Sequence, residues 1–395
     1  MTGNDTNQQG PATDVVAAAR NLAPLVLAAR DEAEQIRHLP PRVAKAFAAA
    51  GLFQMYFPRS MGGLELPPLT AFQVIEEISK TDGSAGWCLM VANGMSAFMS
   101  LMPAEIGRHF AGYPADFRAA GSLRPLGNAT IVEGGYRVNG QWNFASGIDH
   151  ANWLYCSSNV MENDKPRLTA EGKPVVRAMW VPRDRATIVD TWSVVGMRGT
   201  GSQDFTVDDV FVPSAHTLSI ADPPRETGPL YHPRMMFTAT WTGTVANALG
   251  IARGAIDAFV DLAGREGTTM SPELLRNRPY AQARLAEAEA IVNAARAYVI
   301  DAVGTAWAAA CSGTADMDRP VAQARLAIAH GMRESVRAVD LVFHAAGTNA
   351  VYNKNPLERY FRDAHVAVQH LAALPVHFES AGKVLMGLRP TDLGW

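Results

Sequence analysis

Apolar positions recur at helical spacing through the first hundred residues, beginning with Val15, Ala18, Leu22, Leu25 and Ala29. Leu39-Pro40-Pro41 interrupts that run, and Pro41 suits the first turn of a second helix over 42–50, which Gly51 closes. Pro58 to Gly63 breaks the pattern again. Two further helices are predicted over 69–80 and 84–101, joined at Thr81-Asp82-Gly83. From Ala119 to Val212 the pattern shortens to strands and turns. Ala129 to Val132, Glu133-Gly134-Gly135 and Tyr136 to Val138 spell a hairpin, and Asn139-Gly140 reads as another turn. Strands are also expected over 178–182, 205–207 and 210–212, with an exposed loop over 163–173. Helical patterning returns near Pro233, with long helices over 282–309, 320–347 and 359–374.

This order of helices, strands and helices argues against a doubly wound parallel sheet and for an α+β chain. It divides into a lead-in (1–13), a helical domain (14–118), a β-domain (119–230) and a second helical domain (231–395). With 395 residues, 48% apolar and 18% charged, the chain has the composition of an ordinary globular protein. The net charge of -3 gives no electrostatic case for nucleic acid or an anionic membrane. The apolar window over 86–102 is shorter than the ~20 residues that span a bilayer, and Asn93, Gly94 and Ser96 interrupt it. Three cysteines without paired spacing make neither a disulfide framework nor a metal site, and the lead-in lacks a signal-peptide pattern. A cytoplasmic location is expected.

Several common chemistries lack their motifs. Gly199-Thr200-Gly201 begins a dinucleotide fingerprint, but Asp204 stands where its last glycine belongs, so a turn is expected there. No phosphate loop, HExxH or GxSxG is present. His365, His370 and His377 are five and seven residues apart with Pro375 between the last two, so no metal is expected.

Four segments, in order, resemble the acyl-CoA dehydrogenase superfamily. They are Ala50-Gly51-Leu52 with Pro58 to Gly63; Ile75 to Ile78 with Asp82 to Trp87; Gly196-Met197-Arg198-Gly199-Thr200-Gly201-Ser202 with Val207 to Pro213; and Gly347 with Asn355 to Arg359 and Phe361-Arg362-Asp363. The resemblance implies an N-terminal helical domain, a central β-barrel-like domain and a C-terminal four-helix bundle. In many of these dehydrogenases the glutamate that removes the substrate's α-proton lies nine residues beyond the motif arginine. Here that position is Leu371, which accepts no proton.

His370 beside it, and Phe144 to Trp153, with Ser146-Gly147 and His150, look instead like the two-component flavin-dependent aromatic hydroxylases of the same fold. That branch implies an oxygenase component taking FMNH2 or FADH2 from a separate, diffusing flavin reductase. Oxygen then forms a C4a-hydroperoxyflavin that hydroxylates an aromatic or other apolar molecule. The alternatives are an acyl-CoA dehydrogenase with a displaced base and a non-catalytic flavin carrier.

The resemblance makes Ser146 and His370 the catalytic candidates. Ser146 would hydrogen-bond near the flavin N5, and His370 would deprotonate the substrate or stabilise the peroxide. Ser146, Gly147, Trp192, Arg198, Thr200, Arg276, Arg278 and Arg362 are candidates for holding the flavin. Trp87, Met95 and His370 are candidates for the substrate wall, with Met90, Phe98 and Met99 fitting either wall or core. Glu358 with Arg362 and Arg359 with Asp363 stand at ion-pair spacing on one helix. Members of the family are usually homotetramers, and the same is expected here.

Overall fold

The computed structural model describes residues 14–390 except 114, 268–270 and 315, so the lead-in over 1–13 lies outside the described residues. The chain opens with α1 (Val15–Ile36), α2 (Pro41–Ala49), α3 (Pro68–Thr81), α4 (Gly83–Ala97) and α5 (Ala104–Ala111). Caps set two of the starts. Asp14 Oδ1 accepts from the Val16 and Ala17 amides at 3.1 and 3.0 Å, and Asp82 Oδ1 accepts from Ala85 N at 2.7 Å. Asp82 is buried, so it joins α3 to α4 rigidly.

One sheet follows, built from β1 (Ala119–Val132), β2 (Gly135–Ala145), β3 (Trp153–Glu162), β4 (Lys165–Pro166), β5 (Val176–Pro182), β6 (Thr187–Val189), β7 (Gln203–Pro213) and β8 (Thr217–Leu218). Its order is β6-β7-β2-β1-β3-β5-β8, with β4 paired to β3 in the exposed 163–173 stretch. Alternation gives β3 and β5 two buried faces. Leu154, Cys156, Met179 and Val181 join the sheet's own core around Trp142 and Phe205, while Tyr155 and Trp180 pack against the helical core. Asn139-Gly140 is not a turn. It lies inside β2, where the pairing with β7 shifts register after Val138, and Asn139 Oδ1 accepts the Asp209 amide at 2.8 Å.

The chain ends in α6 (Pro233–Ala263), α7 (Pro279–Ser312), α8 (Asp318–Ala346), α9 (Pro356–Ala367) and α10 (Val376–Leu385). Helix α6 is buried along most of its length and forms the spine between α3 and α8. The single helix expected over 359–374 is broken. Helix α9 stops at Ala367, and His370 caps a separate turn at Leu371–Ala373, its Nδ1 accepting the Ala372 amide at 3.2 Å. A side chain that satisfies the backbone locally competes with continued helix. Among the described residues no helix is long and apolar enough to cross a membrane.

Two glycines test the helical packing. A Cβ on Gly250 of α6 would lie 2.5 Å from the Glu76 carbonyl oxygen of α3, whereas one on Gly304 of α7 would meet nothing closer than Leu69 Cδ1 at 3.6 Å. Alanine gains about 1 kcal/mol of helix propensity at either site, but overpacking against backbone costs about 1–3 kcal/mol or more. Gly304→Ala is therefore expected to raise the melting temperature and Gly250→Ala to lower it. Equal shifts in thermal denaturation would contradict the close α3–α6 approach.

Candidate active site

A cavity of about 480 Å³ opens between α4, the first half of β1, the end of β2, the 192–202 loop and the end of α9 with the segment after it. Helix α4 presents one face to it. Trp87, Val91 and Met95, four residues apart, line the wall, while Met90, Phe98 and Met99 point into the core. The substrate-wall candidates thus divide by helix face.

Ser146, Thr200 and Ser202 bring a chain of hydroxyls to the wall. Trp87 Nε1 donates to Ser146 Oγ at 3.2 Å; Ser146 and Ser202 share a hydrogen bond of 2.6 Å; Ser202 and Thr200 share one of 2.7 Å; Thr200 Oγ1 donates to the Met197 carbonyl at 2.8 Å. Each end has one role: an indole N–H only donates and a carbonyl only accepts. With one proton per hydroxyl, the direction follows. Thr200 gives its proton to Met197, Ser202 to Thr200, and Ser146 to Ser202. Ser146 keeps an unused lone pair, so toward the cavity it is an acceptor.

The Met197 backbone anchors this relay. Its N–H donates to Asp363 Oδ1 of α9, and its carbonyl also accepts Trp192 Nε1 at 3.2 Å. A Cβ on Gly196 would lie 2.4 Å from the Arg362 carbonyl, so the loop sits against α9 backbone. Met197 itself holds a left-handed φ of 54°, a strained conformation that the three bonds stabilise.

Across the cavity, His370 meets the Trp87 ring edge-on, with centroids 5.4 Å apart. Burial, with a smaller contribution from His377, pushes its pKa down to about 4. The imidazole is neutral near pH 7. Because Nδ1 accepts the Ala372 amide, the ring proton resides on Nε2. His370 therefore offers a donor. His150 is a packing residue: it stacks on Phe53 at 5.4 Å under the Ser146-Gly147 turn, and burial lowers its pKa to about 3. Gly147 contributes backbone, its φ of 79° letting its N–H reach the Thr200 carbonyl at 2.8 Å.

The arginine candidates lie off the cavity wall. Arg362 pairs with Glu358 at 2.7 Å and Glu34 at 3.0 Å, and Arg198 meets Glu34 at 3.4 Å. Arg359 turns to Asp31 at 2.8 Å rather than to Asp363, because Asp363 faces Met197. Arg276 and Arg278 stand at the turn Leu275–Asn277 before α7, also outside the cavity wall of this chain.

Sequence reasoning missed Ser202 and Phe144 as site residues. Ser202 sat inside a recognised motif, but its partner Ser146 is 56 positions away. Phe144, 62% exposed at the mouth and edge-on to Trp192, is held out by a φ of 60°, which no pattern in the sequence announces for a non-glycine residue. Among the described residues no group of three or more His, Cys, Asp or Glu could hold a metal. Apolar walls, two aromatic rings at the mouth, a ring donor and a directed hydroxyl fit a flat heteroaromatic cofactor such as flavin.

Residues 13–106 match the model of the acyl-CoA dehydrogenase N-terminal domain, and residues 242–375 match that of the C-terminal domain. The chain is 31% identical over 395 residues to the flavin-dependent monooxygenase oxygenase subunit HsaA of Mycobacterium tuberculosis, covering 98% of each chain. It is 33% identical to indole-3-acetate monooxygenase of Pseudomonas putida, over 91% of this chain and 90% of the other. Its structure matches that of XiaF from Streptomyces sp. in complex with FADH2 and glycerol, with a TM-score of 0.87, 26% identity and coverage of 96% and 97%.

The Asp363 anchor carries a pH signature. Burial raises its pKa to about 7, with Asp82 and Glu34 adding to the rise and the Met197 N–H opposing it. Between the unfolded value of roughly 4 and that raised value, the folded chain holds a proton that the unfolded chain has lost. Stability from this group is full below about pH 4 and is lost as pH rises through about 7. Asp363→Asn keeps an acceptor for Met197 and removes the decline. In urea titrations the stability of the variant relative to the parent is expected to climb between pH 4 and 7 and then level. A difference independent of pH would contradict the burial of this carboxyl.

Proposed function

The chain belongs to the acyl-CoA dehydrogenase family, in its flavin-dependent monooxygenase branch, and from that premise we propose how its cavity serves oxygen transfer to an aromatic substrate. It is the oxygenase component of a two-component system, using reduced flavin that a separate flavin reductase supplies. Reduced flavin provides the two electrons that activate O2 for transfer of one oxygen atom to the substrate.

The directed hydroxyl relay carries the reading. Reduced isoalloxazine bears an N–H at N5, whereas the oxidised ring bears a lone pair there. Ser146, with its proton committed to Ser202, presents the acceptor that the reduced ring needs. Thr200 and Ser202 act through Ser146. Trp192 and Phe144 flank the mouth as ring contacts, and Gly147 shapes the turn that aims Ser146.

Of the two roles expected for His370, the geometry favours the donor. A base with a pKa near 4 is poorly matched to a phenol, whose pKa lies about six units higher. The Nε2–H instead orients an oxygen atom of the substrate or of bound O2. Trp87 and Met95 supply apolar wall, which excludes the water that would divert reduced oxygen to peroxide. Leu371 stands on the wall where a dehydrogenase would need an acid, and no carboxylate lines the cavity among the described residues.

Arg362 and Arg198 brace the loop through Glu34, and the role proposed for Arg276 and Arg278 is contact with the flavin of a neighbouring copy. A homotetramer fed by a freely diffusing reductase in the cytoplasm is the assembly and setting proposed.

The test is oxygen uptake with photoreduced FMN and FAD against a panel of phenols, indoles and other heteroaromatics, followed by mass spectrometry with labelled O2. The parent is expected to place label in product. Ser146→Ala and His370→Ala are expected to shift at least half of the consumed oxygen to hydrogen peroxide. Full coupling in both variants would remove their assigned roles. Bleaching of the oxidised flavin by an acyl-CoA, or flavin binding without labelled product from any substrate, would contradict the monooxygenase reading.

A further inference from the structure

Arg124 is the one charged side chain on the cavity wall among the described residues. A break in the sheet puts it there. Strands β1 and β3 pair at Ser122 with Cys156 and again at Gly127 with Ser158, so the four residues 123–126 stand against Ser157 alone. Such bulges re-aim side chains beside active sites, and Pro125 within it has no amide to leave unpaired. The bulge is built firmly. Asn159 Nδ2 donates to the Pro125 carbonyl at 3.1 Å, and Gly127 closes over the Trp142 ring, where a Cβ would come within 2.1 Å. Trp142 is itself buried and donates to the Ser157 carbonyl at 2.7 Å.

The guanidinium so placed is unneutralised. Its side chain reaches only Asn143 Oδ1, at 3.5 Å, the outer limit of a hydrogen bond, and it has no ion pair among the described residues. The motif arginines nearby, Arg198, Arg359 and Arg362, are all matched by Glu34, Asp31 or Glu358. Deeper in, the cavity offers apolar walls, hydroxyls and a neutral imidazole. The cavity is thus polarised: aromatic-seeking within, cationic at its exposed lip.

We infer that Arg124 is an anion-recognition residue, taking the carboxylate or phosphate oxygens of a ligand whose aromatic ring lies inside the cavity. This rests on the proposed use of the cavity for a flavin and an aromatic substrate. Two sources share that chemistry: a carboxylate side chain on the substrate, and the phosphate of the flavin. Guanidinium is suited to either, because its fork matches both geometries.

Equilibrium binding separates the sources without depending on turnover. Arg124→Gln and Arg124→Lys would be titrated anaerobically with photoreduced riboflavin and photoreduced FMN, and separately with arylacetates and their uncharged methyl-arene counterparts. Arg124→Gln is expected to weaken one anionic class about tenfold, equivalent to about 1.4 kcal/mol, while its neutral counterpart stays within about twofold. Arg124→Lys should recover part of the loss, and added salt should narrow the gap. A loss for FMN but not riboflavin assigns the phosphate; a loss for arylacetates but not methyl-arenes assigns the carboxylate. Unchanged affinity for every anionic probe, or equal loss for charged and neutral members of each pair, overturns the inference. Flavin binding without oxygenation would sink the monooxygenase reading and leave this one standing.

Discussion

The backbone of Met197 is the constraint on which the site depends. Its N–H is held by a buried carboxyl group on α9, and its carbonyl is shared by Thr200 and Trp192. One strained residue thereby ties the C-terminal helices to the β-domain loop. The same carbonyl terminates the hydroxyl relay, so the direction of every proton back to Ser146 follows from it. Trp87 closes the other end from α4. All three parts of the fold meet in one chain of hydrogen bonds, and the polarity of that chain is set by groups that can only donate or only accept.

Charge is arranged around the site rather than in it. Asp31, Glu34 and Glu358 neutralise Arg198, Arg359 and Arg362 behind the loop, where Arg362 also donates to the Val195 carbonyl. The cavity wall facing them is apolar or neutral, down to an imidazole whose burial removes its charge. Oxygen chemistry on a reduced flavin needs such surroundings, because water and stray protons favour peroxide loss. Arg124 departs from this plan, and it stands at the solvent-facing lip.

Much of the architecture was legible from patterning. Periodicity separated helices from strands, Gly51 marked a helix end, and the order of parts excluded a doubly wound sheet. The failures have local causes. Asn139-Gly140 carries turn chemistry but is held in β2 by pairing with β7. The 359–374 stretch has helical residues throughout, yet His370 caps a new turn and splits it. That split swings His370 and Leu371 onto the cavity wall.

Among the candidate site residues that line the cavity, motif membership pointed to Ser146, Thr200 and His370, while the protonation of His370 required knowing its burial and its backbone partner. Ser202, Phe144 and Arg124 escaped notice because their placement arises from a distant partner, a positive φ and a bulge. The most direct measurement is the ratio of dissociation constants for oxidised and reduced flavin, taken anaerobically on the parent and on Thr200→Val with Ser202→Ala. If the relay holds Ser146 as an acceptor, the parent binds the reduced form at least about tenfold more tightly and the double variant loses most of that preference. Equal affinity for the two forms, or a preference that survives the double substitution, would contradict the account.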